Sequence, residues 1–443
     1  MRELIAKNLL KTYLIAEVAF YSIYLVMTRN ILVLYLVSVG LDVYNISIIV
    51  FLSTFISTII SIVFYKYPFF LLSRINEKFI ITHGLEKILF IPIGFTSDIL
   101  TITLFYGAVN ITSIFSTIYI NLALYGLFDE VNIKDSIAKR TVAANIANIL
   151  GYLFTMFLVY SLPSNIKFQT LFTLGGLIGI LSTVSILPIS LEGLEKVKMF
   201  KKVSEPERLF TTSSFFITLL TSSNLLGLVW TPFLVRALNS SDIIVVAVNF
   251  AGSIAGIFSS VFWAKASLKK LRISLGLASL TPILCIVTPY PLLHIPISAY
   301  GGFTFTGANF LGSFLFARYK SWLGVLRVSI LMSIIINLSQ LLATPFGLLF
   351  REAYTILFTA SAIVRLISVL VAYLTIVEVA LVSEEDARTY SQILYRNSVF
   401  GYVMVSDIVR ESVILTMKLL AILISILLLY IVYRFLFFLL SIS

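Results

Sequence analysis

Along the chain, apolar residues gather into runs of roughly twenty, the length a helix needs to cross the hydrocarbon of a bilayer. Between charged or Pro/Gly-containing breaks, these runs fall at approximately 13–38, 44–65, 79–97, 100–125, 141–161, 168–189, 210–235, 243–263, 272–289, 292–316, 325–349 and 354–377. A thirteenth run, 416–440, follows a polar stretch. The runs lack the polar outer face of a soluble helix, so their solvent is lipid. Backbone amides in lipid need internal partners, which leaves helices or a closed barrel. A barrel strand is about ten residues of alternating polarity, and Leu171–Leu187 and Leu419–Leu440 show no such alternation. The pattern predicts an all-α membrane protein with twelve core transmembrane helices and an extra C-terminal helix.

Composition supports the same class. Of 443 residues, 59% are hydrophobic and 12% charged, against roughly 45–50% and about 25% in soluble domains. A single cysteine, Cys285, excludes an intramolecular disulfide, and it reads as a small core residue. With His83 and His294 the only histidines, no histidine or cysteine metal centre is expected. The first apolar run has no small-residue cleavage site and reads as a start-transfer helix rather than a cleavable signal.

Charge then sets the sidedness, because basic loops are retained in the cytoplasm. With the N-terminus inside, 25 of the 32 Lys and Arg residues fall in cytoplasmic segments, including Lys66, Arg74 and Lys78, Lys134, Lys139 and Arg140, and Lys196, Lys198, Lys201 and Lys202. The outer loops hold Lys167, Arg236 and Arg351, while Arg29, Lys87, Arg365 and Arg434 lie within apolar runs. The net charge of +11 therefore reflects topology and anionic lipid rather than nucleic acid.

The Lys- and Glu-rich loop near 190–209 divides the core into six and six. It sets expected units at 1–189 and 210–380, followed by an extension at 381–443. The halves are related: residues 35–65 align without a gap on 233–263, with nine of 31 positions identical. Leu36, Val37, Ile46, Val50 and Ser61 repeat as Leu234, Val235, Ile244, Val248 and Ser259. Tyr106-Gly107 and Tyr300-Gly301 give a weaker echo. Related six-helix halves are one way in which secondary transporters are built.

In this layout, in its central loop and in the extended junction YLVSVGLDVYNISIIV (35–50), the chain over residues 12–380 resembles the major facilitator superfamily. Members usually carry G-x-x-x-D-R-x-G-R-[RK] between the second and third helices. Here that loop reads FLLSRINEK (70–78), where Arg74 and Lys78 match and the glycines and aspartate do not. The corresponding WAKASLKKLR (263–272) also lacks the acid. The family's gate-locking and proton-coupling residues are therefore not carried over. The resemblance implies two six-helix bundles whose first, fourth, seventh and tenth helices line a central cavity.

Polar residues at three- and four-residue spacing mark the faces that avoid lipid. The first span carries Glu17, Tyr21, Tyr24 and Thr28, the fourth Tyr106 and Asn110, and the fifth Asn145, Asn148 and Tyr152. The seventh carries Asn224 and Trp230, the eighth Asn249 and Ser253, the tenth Thr306 and Asn309, and the eleventh Ser333, Asn337 and Gln340. Small hydroxylated residues also serve as glue between helices. Asn and Gln are costlier to bury and offer both donors and acceptors. The expected substrate cavity therefore comprises Arg29, Tyr24, Asn110, Asn145, Asn148, Asn224, Trp230, Asn309, Asn337 and Gln340.

Arg29 stands well inside the first span, where an unpaired guanidinium costs roughly 3 kcal/mol or more. It either attracts a substrate carboxylate or phosphate, or snorkels outward and binds carbonyls. Glu17 and Glu86 are the acids within the core spans and are candidates for proton coupling. The trio His83, Glu86 and Lys87 reads equally as structural ion pairing, and Arg365 is expected to have a structural partner. In the extension, Ser383 followed by acids reads as a helix start, and 419–440 is long enough to cross.

No Walker-type loop occurs, and neither an acid pair nor a metal cluster points to an enzyme or a cofactor. The expected function is secondary transport of a small organic solute by alternating access, in the cell membrane, with the bilayer, the solute and a proton or ion as partners. A flippase for lipid-linked or amphipathic molecules and a non-transporting scaffold are the alternatives. In a Cys285→Ser background, Lys134→Cys should react with an impermeant maleimide only after the vesicle interior is exposed, and Ser164→Cys should react in intact cells. The reverse pattern would invert the topology.

Overall fold

The structure is a computed structural model that describes residues 2–404 apart from 129, 193 and 195–204, together with 406 and 411. The run at 416–440 with Arg434, most of the 190–209 loop, Arg410 and Lys418 lie outside the described residues. Every regular element among the described residues is helical.

Local chemistry sets the helix ends. α1 (Arg2–Met27) stops at Thr28, whose hydroxyl donates to the Tyr24 carbonyl at 2.5 Å, and a single 3-10 turn, Arg29–Ile31, leads into α2 (Leu32–Ser38). Gly40, at φ 92°, makes the reversal that follows; a left-handed backbone suits glycine because it has no Cβ. Asp42 then caps α3 (Val43–Lys66) by accepting from the Asn45 amide at 2.8 Å. A short α4 (Phe69–Leu72) precedes α5 (Ile75–Ile88), and Pro92 lies in the 3-10 turn Ile91–Phe95 beyond it. Asp98 caps α6 (Ile99–Leu127) in the same way at 2.8 Å, and α7 (Glu130–Ser161) and α8 (Lys167–Ile186) complete the first half.

The second half runs through α9 (Pro206–Pro232), which passes into a π-helical turn at Phe233–Ala237, and α10 (Asp242–Ala264). Next come α11 (Leu268–Ala278), α12 (Leu280–Val287), α13 (His294–Arg318), a short α14 (Lys320–Leu323), α15 (Val325–Phe350) and α16 (Tyr354–Thr375). A further helix at 384–404 begins where expected, with Ser383 Oγ accepting from the Asp386 amide at 3.1 Å.

Among the described residues, ten helices are long and apolar enough to cross a membrane. The third and tenth expected spans are not among them. In the third, α5 has 14 residues and ends in the charged Glu86-Lys87. In the tenth, α13 is rich in Gly, Ser and Thr, and it packs this small-residue side on α10. The outward faces are apolar: Leu104, Phe157, Phe258, Ile363 and Leu370 are all exposed. Exposed side chains of this size, repeated on many helices, form the surface that lipid covers.

The repeat is preserved in three dimensions. Shifting α3 by 198 residues gives 241–264, the position of α10. Each copy crosses to the other half of the chain, α3 packing on α15 and α10 on α7. Within the halves, α1 packs on α7 and α8, α9 on α16, and α10 and α11 on α13. Small residues permit the closest crossings. A Cβ at Gly302 would collide with the Gly252 carbonyl oxygen, and one at Gly347 with Ser47 Oγ. Gly302→Ala should therefore lower the melting temperature in detergent by an amount equivalent to about 1–3 kcal/mol or more, as overpacking does. Gly227→Ala, with nothing within 4 Å of its added methyl and a helix interior that favours Ala over Gly, should not lower the melting temperature.

Candidate functional site

Two adjoining cavities open where the halves face one another. The smaller, of about 380 Å³, is walled by Arg29 and Asn30 at the α1–α2 break, Tyr106 of α6, Asn224, Trp230 and Thr231 of α9, Asn249 of α10 and Gln340 of α15. The larger, of about 620 Å³, is walled by Asn145, Asn148 and Tyr152 of α7, Asn249 and Ser253 of α10, Thr281 of α12, Phe305 and Thr306 of α13 and Arg365 of α16. Asn30, Ser223, Gly227, Trp230 and Asn249 belong to both, so the two form one continuous space whose apolar wall is dotted with amides and hydroxyls.

The wall is fixed by hydrogen bonds between helices. Asn30 Nδ2 donates to the Tyr152 hydroxyl at 2.9 Å, tying the α1–α2 break to α7. Asn224 Nδ2 donates to Ser339 Oγ at 3.0 Å, joining α9 to α15. Trp230 Nε1 donates to His294 Nδ1 at 2.9 Å, which makes His294 neutral with its proton on Nε2, 3.0 Å from the Thr288 carbonyl. The indole is thereby anchored at its nitrogen on the wall that both cavities share.

Behind Arg29 lies a charge cluster sealed inside the first half. Arg29 Nη2 is 3.2 Å from Glu86 Oε1, and the other carboxylate oxygen is 2.9 Å from Lys87 Nζ. The Tyr21 hydroxyl donates to Glu86 Oε1 at 3.1 Å, and the Lys87 ammonium sits 4.7 Å from the centre of the Tyr21 ring. Further along α1, Glu17 pairs with Arg140 at 2.8 Å and lies 3.4 Å from His83, whose Nδ1 is 2.9 Å from Thr183 Oγ1. Glu86 and Lys87 are completely buried. Such charges hold a site together because removing one partner strands the other in a medium of low polarity.

No family model matches the chain, and no curated protein matches it. Solved structures do. The nucleoside transporter NupG superposes with a TM-score of 0.57 at 11% identity, covering 82% of this chain and 98% of that one; a point mutant of the same transporter gives 0.56 at 14%. A bacterial homologue of the human lysosomal transporter Spinster, in an inward-facing and occupied conformation, gives 0.53 at 13%, covering 83% and 96%. The chain has the major facilitator fold.

On this fold the expected site residues separate into two groups. Arg29, Asn145, Asn148, Asn224, Trp230 and Gln340 converge on the space between the halves. Tyr24 does not line it: fully buried, it donates to the Glu86 carbonyl at 3.2 Å. Asn337 lies between α3 and α15, its Nδ2 3.2 Å from Ser61 Oγ, and acts as a bridge between helices. Asn110 is buried on α6, and Asn309 is half-buried on α13; neither reaches either cavity. Glu17 and Glu86 are both held by cations and line neither cavity.

The expected set lacks Asn30, Ser223, Asn249 and Arg365, all of which line the space. The stripe on the eighth span already contains Asn249, and the isolated charge at Arg365 is visible in the sequence. Asn30 depends on the break at Thr28, which turns it away from the stripe a continuous helix would give. Glu86→Gln should destabilise the protein by about 3–5 kcal/mol, because Lys87 keeps its charge without a counter-ion. The double variant Glu86→Gln/Lys87→Met should recover much of the lost melting temperature. A single variant as stable as the parent would refute this account of the cluster.

Proposed function

We propose that the chain is a secondary transporter that moves a small polar organic solute across the cell membrane. In this reading, bundles at 1–189 and 210–380 rock about the space between them, with the N-terminus in the cytoplasm and twelve core spans. The observation that carries it is the convergence of Asn30, Asn145, Asn148, Asn224, Asn249 and Gln340, from both halves, on one cavity between the halves. Amides donate and accept, so they can replace the water around a hydroxylated or amine-bearing solute without fixing its charge. Trp230, Tyr106 and Tyr152 add flat apolar faces. The fold shared with nucleoside and lysosomal transporters supports this class of activity. The amide-rich wall favours a hydrated solute over the lipid tail that a flippase must accommodate. With no Walker-type loop in the sequence, the driving force is a gradient of an ion or of the solute itself.

In proteoliposomes, a panel of nucleosides, sugars, amino acids and organic acids should include at least one solute that exchanges by counterflow. Asn249→Ala, at the junction of the two cavities, should cut that exchange roughly tenfold, the effect of losing about 1.4 kcal/mol of solute interaction. Asn337→Ala should act on stability instead. Absence of counterflow for every solute, under every imposed gradient, would overturn the reading.

A further inference from the structure

Arg365 lies halfway along α16, at the floor of the larger cavity, and it is 2% exposed. Its guanidinium spans three helices. Nε donates to Ser222 Oγ at 2.9 Å, Nη2 to Ser223 Oγ at 2.6 Å and Nη1 to the Ala278 carbonyl at 3.3 Å. All three acceptors are neutral. Among the described residues no carboxylate pairs with Arg365, and a guanidinium has five N–H groups, so one on each of Nη1 and Nη2 is uncommitted.

Two further observations point the same way. Thr281 lines the same cavity, and its buried Oγ1 has no hydrogen-bond partner among the described residues. Among the described residues no Asp or Glu lines either cavity, while Arg29, on the wall of the smaller one, shares its one carboxylate, Glu86, with Lys87. The space is therefore bordered by positive charge in excess, and the wall of the larger cavity holds a cation with no carboxylate partner and a hydroxyl with no hydrogen-bond partner among the described residues. A permanent cation at mid-membrane depth is costly. Bridging two serines and a carbonyl needs only a neutral amide, so the charge calls for an anion that is not part of the wall.

We propose that the transported solute is an organic anion, whose carboxylate or phosphate docks on Arg365 and Thr281 while its polar body lies among the amides. Arg forms two parallel charge-assisted bonds with either oxyanion. The Phe305 ring, its centre 5.6 Å from the guanidinium carbon, covers one face of the cation. Arg29 stays bound to Glu86 and adds long-range attraction. This inference rests on the transport reading above.

Matched neutral and anionic probes test it: uridine with uridine 5′-monophosphate, glucose with glucose 6-phosphate, and benzyl alcohol with benzoate. Each is scored by the melting temperature of the purified protein and by counterflow in proteoliposomes. The anionic member of at least one pair should bind and exchange in preference to its neutral partner, and a phosphate or a carboxylate pair will show which oxyanion is taken. Arg365→Gln should weaken that binding roughly tenfold to a hundredfold, Arg365→Lys less, and Thr281→Val several-fold. If Arg365→Gln does not fold, the preference of the unaltered protein and the Thr281→Val effect decide.

Equal or better binding of neutral members, or unchanged binding by a folded Arg365→Gln, overturns the proposal. Exchange of neutral solutes alone does so while leaving the transport reading intact. No exchange by any probe or by the wider panel removes both.

Discussion

An ionised group inside hydrocarbon must find an opposite charge, water or a set of oriented dipoles, and the centre of this protein is arranged around that requirement. Glu86 is the clearest case. It sits at the end of α5 and gathers Lys87, Arg29 and Tyr21, so one carboxylate ties α5 to α1 and to the turn that follows it. Tyr24 binds the backbone of the same residue. Glu17, Arg140 and His83 repeat the arrangement further along α1 and add α7. Lys87 is neutralised within α5, but Glu86 also meets Arg29, and Glu17 meets Arg140 of α7 and His83 of α5, which makes the cluster a fastening for the first half as well as the support for Arg29 at the cavity wall.

The second half solves the same problem differently. Arg365 is held by serines and a carbonyl, with its charge uncompensated among the described residues. The asymmetry contrasts with the repeat, which places α3 and α10 in equivalent positions. Scaffold helices keep the relation between the halves, while the charged groups follow the needs of the site. Close glycine contacts such as Gly302 on Gly252 let α10 and α13 approach backbone to backbone, and the cavity opens beside this seam.

Much of this was legible from apolar runs, because lipid imposes length and helicity on any segment that crosses it. The runs at 79–97 and 292–316 were harder. The first is interrupted at Ile88 and Pro92, and the second is built of Gly, Ser and Thr that serve packing rather than hydropathy. The amide stripes found the cavity through Asn145, Asn148, Asn224 and Gln340. They also gathered Asn337 and Asn110, since spacing along one helix does not say which neighbour the stripe faces. Tyr24 and Asn30 show the limit most sharply: six residues apart, they separate into the sealed cluster and the open cavity because the helix breaks at Thr28. The pairing of Arg29 with Glu86 joins distant parts of the chain, and no local pattern encodes it.

The proposed transport requires that the space between the halves be reached from each side of the membrane in turn. The most direct test is a single cysteine at Ser253, on the cavity wall, in a Cys285→Ser background, probed with a membrane-impermeant maleimide in sealed vesicles of both orientations. Alternating access predicts labelling from either face. Labelling from one face alone, or from neither, would contradict it.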